Sequence, residues 1–199
     1  MAIISRAFGR RRADAPATLP PGQHLVDGFP VLTTGPTPGM PPDGWTLEVT
    51  GAVDRERRLS WEQFRALPAE TFTCDVHCVT AWSKLGTRWQ GVSVDTVLDG
   101  VGVGGAFVWV ECEGGYTTNL RLTDVTGGRA WIAFAYDDAP LEPTHGGPAR
   151  LLVPHLYLWK SAKWVRRLVI LDRERRGCWE SFGYHDRGDP WREQRYRGD

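Results

Sequence analysis

The sequence is poor in cysteine and lysine, with four cysteines and three lysines in 199 residues, against 21 arginines. No run of residues approaches the roughly 18 consecutive apolar positions of a membrane-spanning helix, so we expect no membrane span. The basic stretch Arg10-Arg11-Arg12 leads into a proline-rich segment and not into the apolar stretch of an export signal, which predicts a cytoplasmic protein. Four cysteines in such a chain are more typical of free thiols, metal ligands or catalytic groups than of a disulfide framework.

Charge is balanced, because 24 Lys and Arg residues face 24 Asp and Glu residues. This balance gives no indication of a nucleic-acid partner. The length and the 41% hydrophobic content predict one sizeable core. Residues 1 to about 44 are rich in Pro and Gly and show no regular period. We therefore expect residues 1–28 to form an extended N-terminal arm and residues 29–199 to form a single domain.

Hydrophobic periodicity predicts a mixed α+β structure. The segment from Trp45 to Gly51 alternates as a half-buried strand does, and Ser60 is a typical N-cap for a short helix that follows it. Further strands are predicted over 71–79, 106–112, 116–122, 130–136, 151–154 and 165–171, with a second short helix over 92–98. The charged stretch after Asp172 still carries five aromatic residues, so we expect it to pack on the domain: Trp179, Phe182, Tyr184, Trp191 and Tyr196.

Reactive side chains are densest at Cys74-Asp75-Val76-His77-Cys78. Three interpretations are open: the cysteines are small core residues, they form a redox pair, or Cys74, His77 and Cys78 hold the zinc ion of a hydrolase. The zinc interpretation lacks a second ligand pair elsewhere in the sequence. Strand alternation predicts that Asp75 and His77 lie on the face opposite Cys74 and Cys78.

The stretch Cys78-Val79-Thr80-Ala81-Trp82-Ser83 resembles the Cys-Val-x-x-Trp-Ser element of the molybdopterin-dependent sulfite oxidase superfamily. In that family this cysteine is the thiolate bound to molybdenum, so the resemblance implies that Cys78 is both the metal ligand and the catalytic residue. A soft thiolate suits a metal that is already bound by the dithiolene sulfurs of the pterin.

A second match begins at His145-Gly146-Gly147-Pro148-Ala149-Arg150 and continues to Tyr157-Leu158-Trp159-Lys160-Ser161-Ala162-Lys163. It resembles the family block that holds the pterin and its terminal phosphate. The resemblance implies cofactor-binding roles for six residues: His145, Arg150, Lys160, Ser161, Ala162 and Lys163. A guanidinium, an ammonium group and backbone donors from a tight turn are suited to a phosphate.

A third segment, from Cys112 to Leu120, is similar to a family segment that passes near the cofactor. It adds Cys112 and Tyr116 to the expected cofactor-binding residues. Gly28 to Gly35 occupies the position of an arm that covers the cofactor in relatives. Where the family's sulfite-binding arginines would follow the cysteine, this chain has Trp82-Ser83-Lys84, so sulfite is not the expected substrate.

Together the segments identify the chain as a small member of the sulfite oxidase superfamily, with an α+β, sulfite-oxidase-type molybdopterin-binding fold. The resemblance implies an enzyme that carries out two-electron or oxygen-atom transfer on a small-molecule substrate, with molybdenum held by molybdopterin. The chain contains no haem-attachment motif, so a separate protein or small carrier is the expected electron donor or acceptor. The alternatives are a non-catalytic molybdopterin carrier and the zinc hydrolase.

Overall fold

Two β-sheets form the framework of residues 19–199, the part of the chain that this computed structural model describes. The strands are β1 (His24–Leu25), β2 (Thr46–Gly51), β3 (Arg57–Ser60), β4 (Glu70–His77), β5 (Trp82–Ser93), β6 (Phe107–Cys112), β7 (Thr117–Arg121), β8 (Trp131–Tyr136), β9 (Ala139–Pro140), β10 (Arg150–Leu152) and β11 (Val165–Leu171). The helices are short: α1 (Trp61–Arg65), α2 (Val94–Leu98), α3 (Leu122–Val125) and α4 (Cys178–Ser181).

One sheet has the strand order β1-β5-β8-β10, with β4 also paired to β5 and β9 to β8. The other has the order β3-β2-β11-β6-β7. Its central strand β11 runs parallel to β2 and antiparallel to β6. No helix in residues 19–199 is both long enough and apolar enough to cross a membrane.

Strand β8 of the first sheet is buried on both faces in its middle. On β8, Ile132 and Phe134 point into the core between the two sheets, where they meet residues such as Leu168 of β11. Ala133, between them, points to the opposite face. There it joins a smaller group, here called the outer cluster: Val76, Cys78, Trp82, Trp89, Ala133, Leu141 and Leu152. Two residues of the outer cluster, Cys78 and Trp82, line the candidate functional site.

The predicted cap of the first helix is present. The Ser60 hydroxyl accepts a hydrogen bond from the Gln63 amide at 3.2 Å, and the Gln63 side chain accepts one from the Ser60 amide at 2.8 Å. This reciprocal capping box satisfies amide groups that the first turn leaves free.

The N-terminal arm meets the first sheet through β1. His24 and Leu25 pair in parallel with Trp82 and Ser83 at the start of β5. Residues 1–18 of the predicted arm lie outside the described residues, and the boundary at residue 28 stays a prediction. The arm is continued by residues 29–34, which cross the outer cluster. There the Phe29 ring contacts Trp82 at 6.1 Å and stacks on His145 at 4.4 Å between ring centroids. The arm and this continuation therefore cover one side of the site.

Candidate functional site

Cys78 lies in a tight turn between β4 and β5. Its amide donates to the Trp82 carbonyl at 2.8 Å, and its carbonyl accepts from the Ala81 amide at 3.1 Å. Ala81 closes the turn with a left-handed backbone (φ 71°), which is uncommon for a residue with a side chain. The Cys78 side chain is 6% exposed, and its sulfur accepts a hydrogen bond from the Thr80 hydroxyl at 3.1 Å.

Segments from both ends of the described chain hold this turn. Gln23 Nε2 donates to the Cys78 carbonyl at 3.1 Å. Arg195 Nη1 donates to the Val79 carbonyl at 2.5 Å. Polar side chains that lie far away in sequence thus fix the two peptide groups that follow the Cys78 α-carbon.

A cavity of about 310 Å³ opens beside Cys78. Seven of the nine residues that the sequence predicts for the site line it: Cys78, Tyr116, His145, Arg150, Ser161, Ala162 and Lys163. Its other walls are Phe29, Pro30, Val31, Leu32, Thr33, Thr34, Val79, Thr80, Trp82, Leu158, Trp159, Trp164, Trp179 and Tyr184. The cavity therefore combines a single thiol, a cationic group and seven aromatic side chains among its lining residues.

Arg150 is the most deeply buried cation of the cavity, at 4% exposure. Its guanidinium donates to the His145 carbonyl at 2.9 Å and to the Ser161 carbonyl at 2.6 Å. Burial lowers the pKa of this guanidinium to about 10, so it keeps its charge at neutral pH. No acidic side chain within residues 19–199 forms an ion pair with it, and a buried cation without a counter-ion favours an anionic ligand.

Lys163 is the second cation of this wall, and the His145 imidazole lines the cavity with it. Lys163 Nζ donates to the carbonyls of Leu32 and Thr144, each at 2.9 Å. Burial, reinforced by the Arg150 charge, lowers the pKa of the Lys163 ammonium to about 8. Burial and the same guanidinium also lower the pKa of His145 below its usual value. The positive charge on this wall at neutral pH therefore comes from Arg150 and Lys163.

Ser161 and Ala162 contribute buried backbone to the cavity wall. The Ser161 hydroxyl accepts from the Val153 amide at 2.9 Å, and the Ala162 carbonyl accepts from the Leu151 amide at 2.9 Å. Tyr116, on the neighbouring wall, donates its hydroxyl to the Trp159 carbonyl at 2.6 Å. Burial raises the pKa of Tyr116 well above its usual value, so it is a neutral donor.

Two of the predicted cofactor-binding residues do not reach the cavity. Lys160 points away from it and is fully buried, with Nζ 2.6 Å from Glu180 Oε1 and further hydrogen bonds to Asn119. Its charge is neutralised within the protein, so we leave Lys160 out of the proposed cofactor-binding set. Cys112 packs in the core between the sheets, where burial raises the pKa of its thiol. It too falls outside the proposed set.

The zinc interpretation finds no support in the described part of the chain, where no group of three or more His, Cys, Asp or Glu residues could hold a metal ion. Cys74 hydrogen-bonds Thr87, and burial raises the pKa of its thiol to about 11. His77 Nδ1 lies 2.8 Å from the Ser83 hydroxyl, and Asp75 accepts from the Gly86 amide at 2.8 Å. Each of these side chains has a local partner of its own.

Sequence reasoning did not assign several residues of the cavity wall. Trp179 and Tyr184 come from the C-terminal segment, whose aromatic content predicts packing but not a place in the site. Thr80 carries no signal beyond its position in the Cys78 motif. Leu32 and its neighbours in the arm reach the cavity although their sequence only weakly matches the covering arm of relatives.

The donor set fits the cofactor that the motifs imply. A buried thiol is a suitable ligand for a soft metal centre, and Arg150 and Lys163 are suited to the negative charge of a pterin phosphate. The aromatic wall can contact the flat ring system of a pterin. Molybdopterin with its molybdenum would supply two-electron redox chemistry at this site.

Comparison with known proteins gives the same assignment. Residues 34–179 match the family model described as "Oxidoreductase molybdopterin binding domain". The chain is 42% identical over 196 residues to the uncharacterized oxidoreductase YuiH of Bacillus subtilis (strain 168), covering 96% of this chain and 99% of that protein. It is 29% identical over 171 residues to the protein-methionine-sulfoxide reductase catalytic subunit MsrP of Gluconobacter oxydans (strain 621H), covering 73% of this chain but only 54% of that protein.

Among solved structures, the sulfane dehydrogenase SoxCD from Paracoccus pantotrophus matches with a TM-score of 0.63 at 20% identity, over 83% of this chain and 56% of that chain. This likeness confirms the predicted α+β, sulfite-oxidase-type fold. The family match confirms an oxidoreductase whose cofactor is molybdenum-bearing molybdopterin. The chain therefore belongs to the molybdopterin-binding oxidoreductases of the sulfite oxidase superfamily.

Proposed function

We propose that this protein catalyses two-electron or oxygen-atom transfer on a small-molecule substrate, with Cys78 Sγ as the protein ligand of molybdenum. One observation carries the proposal: Cys78 and the cations Arg150 and Lys163 line the same cavity. The cavity thus offers a metal ligand and an anion-binding wall, the two features that Mo-molybdopterin requires.

The binding roles follow from charge and position. Arg150 and Lys163 neutralise the terminal phosphate of the pterin, and His145 contributes a further donor beside them. Ser161 and Ala162 line the wall with buried backbone, which can approach the cofactor closely because their side chains are small. With the cofactor seated, Phe29 and the arm exclude water from this side, and the electrons pass to or from a separate protein or small carrier.

A metal-content experiment tests the ligand assignment. Wild type and Cys78→Ser are purified from a molybdenum-replete host, and molybdenum, zinc and released pterin are measured together. Molybdenum X-ray absorption of the wild type is expected to show one sulfur neighbour more than that of Cys78→Ser. Cys74→Ser is the matched control, because Cys74 is also a cysteine of this stretch but does not line the cavity. It should keep the wild-type sulfur count.

The outcomes separate the candidate functions. Bound pterin with no change in the sulfur count on replacing Cys78 would overturn the ligand assignment and favour a cofactor carrier. Zinc in place of molybdenum and pterin would favour a hydrolase. Substrate class is then approached with a panel of sulfoxides, N-oxides and inorganic oxyanions, using a reduced dye as the electron source and its oxidation as the readout.

A further inference from the structure

The Cys78 sulfur has one polar side-chain neighbour in the described structure, the hydroxyl of Thr80. The distance from Thr80 Oγ1 to Cys78 Sγ is 3.1 Å, and the hydroxyl is the donor. Thr80 lies on the exposed rim of the turn and also lines the cavity. The hydroxyl therefore stands beside the atom that the proposed function places on the metal.

The turn leaves this hydroxyl little freedom to move away. The Cys78 carbonyl accepts from both Ala81 and Gln23, and Arg195 holds the Val79 carbonyl. The left-handed backbone at Ala81 returns the chain into β5 directly after Thr80. Because the backbone is fixed on both sides of Thr80, its side chain is preorganised against the sulfur, and ordering it on cofactor binding costs little entropy.

A hydrogen bond to a metal-bound thiolate changes the metal's reduction potential. The donor withdraws electron density from the sulfur, so the thiolate donates less charge to the metal and the more reduced state becomes relatively more favourable. The effect does not need the donor to touch the substrate.

We propose that Thr80 is a positioning residue that sets the reduction potential of the metal centre through its hydrogen bond to Cys78 Sγ. The proposal rests on the proposed function, since it requires Cys78 to be the metal ligand. It assigns a chemical role to a side chain for which the motif allows any residue.

The test compares isosteric variants of the cofactor-loaded protein. Thr80→Val replaces the hydroxyl with a methyl group of similar size, and Thr80→Ser keeps the donor. The readout is the midpoint potential of the metal centre in a spectroscopically followed redox titration. Thr73→Val is the matched control, because it makes the same chemical change on the exposed face of β4. Molybdenum content and the number of sulfur neighbours are measured for every variant and for Cys78→Ser.

We expect Thr80→Val to lower the midpoint potential, with Thr80→Ser and Thr73→Val close to wild type and molybdenum content unchanged. An unshifted potential in Thr80→Val, or equal shifts in the Val and Ser variants, would overturn the proposal. Loss of molybdenum from Thr80→Val but not from Thr80→Ser would also overturn it, by assigning the hydroxyl to cofactor retention. A sulfur count that does not depend on Cys78 would instead show that the proposed function fails.

Discussion

Lys160 and Glu180 form an ion pair in which both side chains are fully buried, with 2.6 Å between Nζ and Oε1. Glu180 Oε1 also accepts from the Thr118 hydroxyl at 2.7 Å and from Trp159 Nε1 at 2.9 Å. The pair joins the segment that carries Ser161 and Lys163 to helix α4. Trp179 of this helix, which precedes Glu180, lines the cavity. It stabilises the shape of the site without entering it.

Breaking this pair from one side should be strongly destabilising. Glu180→Gln leaves the Lys160 ammonium buried without its counter-ion, and we expect the free energy of unfolding to fall by about 3–5 kcal/mol. Urea denaturation of the cofactor-free protein measures the effect. The double variant Lys160→Met with Glu180→Gln should lose less than the sum of the single variants, because it leaves no unpaired charge.

Arg176 and Asp186 provide the matched control for that measurement. They also form an ion pair, at 2.8 Å, but the Arg176 side chain is exposed and the Asp186 side chain is only half-buried. Arg176→Gln should therefore have little effect on unfolding, since solvent screens exposed pairs. A loss as large as that of Glu180→Gln would contradict the role given to burial.

Replacing Arg150 should weaken cofactor binding. Arg150→Met removes a charge-assisted donor whose typical contribution of about 1.5–3 kcal/mol corresponds to roughly 10- to 100-fold in affinity. Arg150→Lys keeps the charge but loses the forked geometry, so its loss should be smaller. Pterin released per protein, measured by fluorescence, reports both effects. Full pterin content in Arg150→Met would contradict the assignment.

The lowered pKa of Lys163 predicts that cofactor binding depends on pH. Because the pKa of its ammonium is lowered to about 8, cofactor-free protein loses this charge as the pH rises through 8. Affinity for the phosphate-bearing cofactor should therefore be highest below pH 8 and decline above it. Reconstitution of cofactor-free protein across that range measures this decline, and Lys163→Met should flatten it. An unchanged pH profile in the variant would assign the dependence to another group.

The same shift predicts how Lys163 affects stability. The pKa is about 8 in the folded protein and about 10.5 in the unfolded chain, so between these values the unfolded chain binds more protons at this residue. Its contribution to the free energy of unfolding therefore rises with pH over that window. Without cofactor, wild type should gain stability relative to Lys163→Met as the pH is raised. A constant difference would contradict the lowered pKa.

The contacts of Gln23 and Arg195 with the Cys78 turn can be tested by hydrogen exchange. A typical hydrogen bond contributes about 0.5–1.5 kcal/mol, so Gln23→Leu or Arg195→Leu should speed exchange at the Ala81 amide by roughly 2- to 10-fold. Arg192→Leu is the control, because Arg192 is an exposed arginine of the same C-terminal segment. Equal acceleration in the control would indicate general loosening of that segment.

Local patterns predicted most of the elements but missed the longest strand. The alternation of Val165–Leu171 predicts β11 as observed, and Ser60 marks the start of α1. The alternation does not predict strand β5, because Gly86, Gly91 and the charged residues Lys84 and Arg88 interrupt its pattern. The strand is stabilised by its backbone hydrogen bonds to β4 on one side and to β8 on the other, which its own sequence pattern does not predict. Tertiary context overrides weak local preference in this strand.

The sequence by itself determined the family, the fold class and the order of the site segments, because these depend on short motifs and on hydrophobic alternation. Only the tertiary structure decided which side chains meet. Lys160 and Lys163 are both lysines of one irregular segment, yet the first pairs with Glu180 and the second lines the cavity. The Cys78 turn is held by Gln23, 55 residues before it, and by Arg195, 116 residues after Val79. Contacts over such separations depend on how the two sheets and both terminal segments pack, which no local pattern encodes.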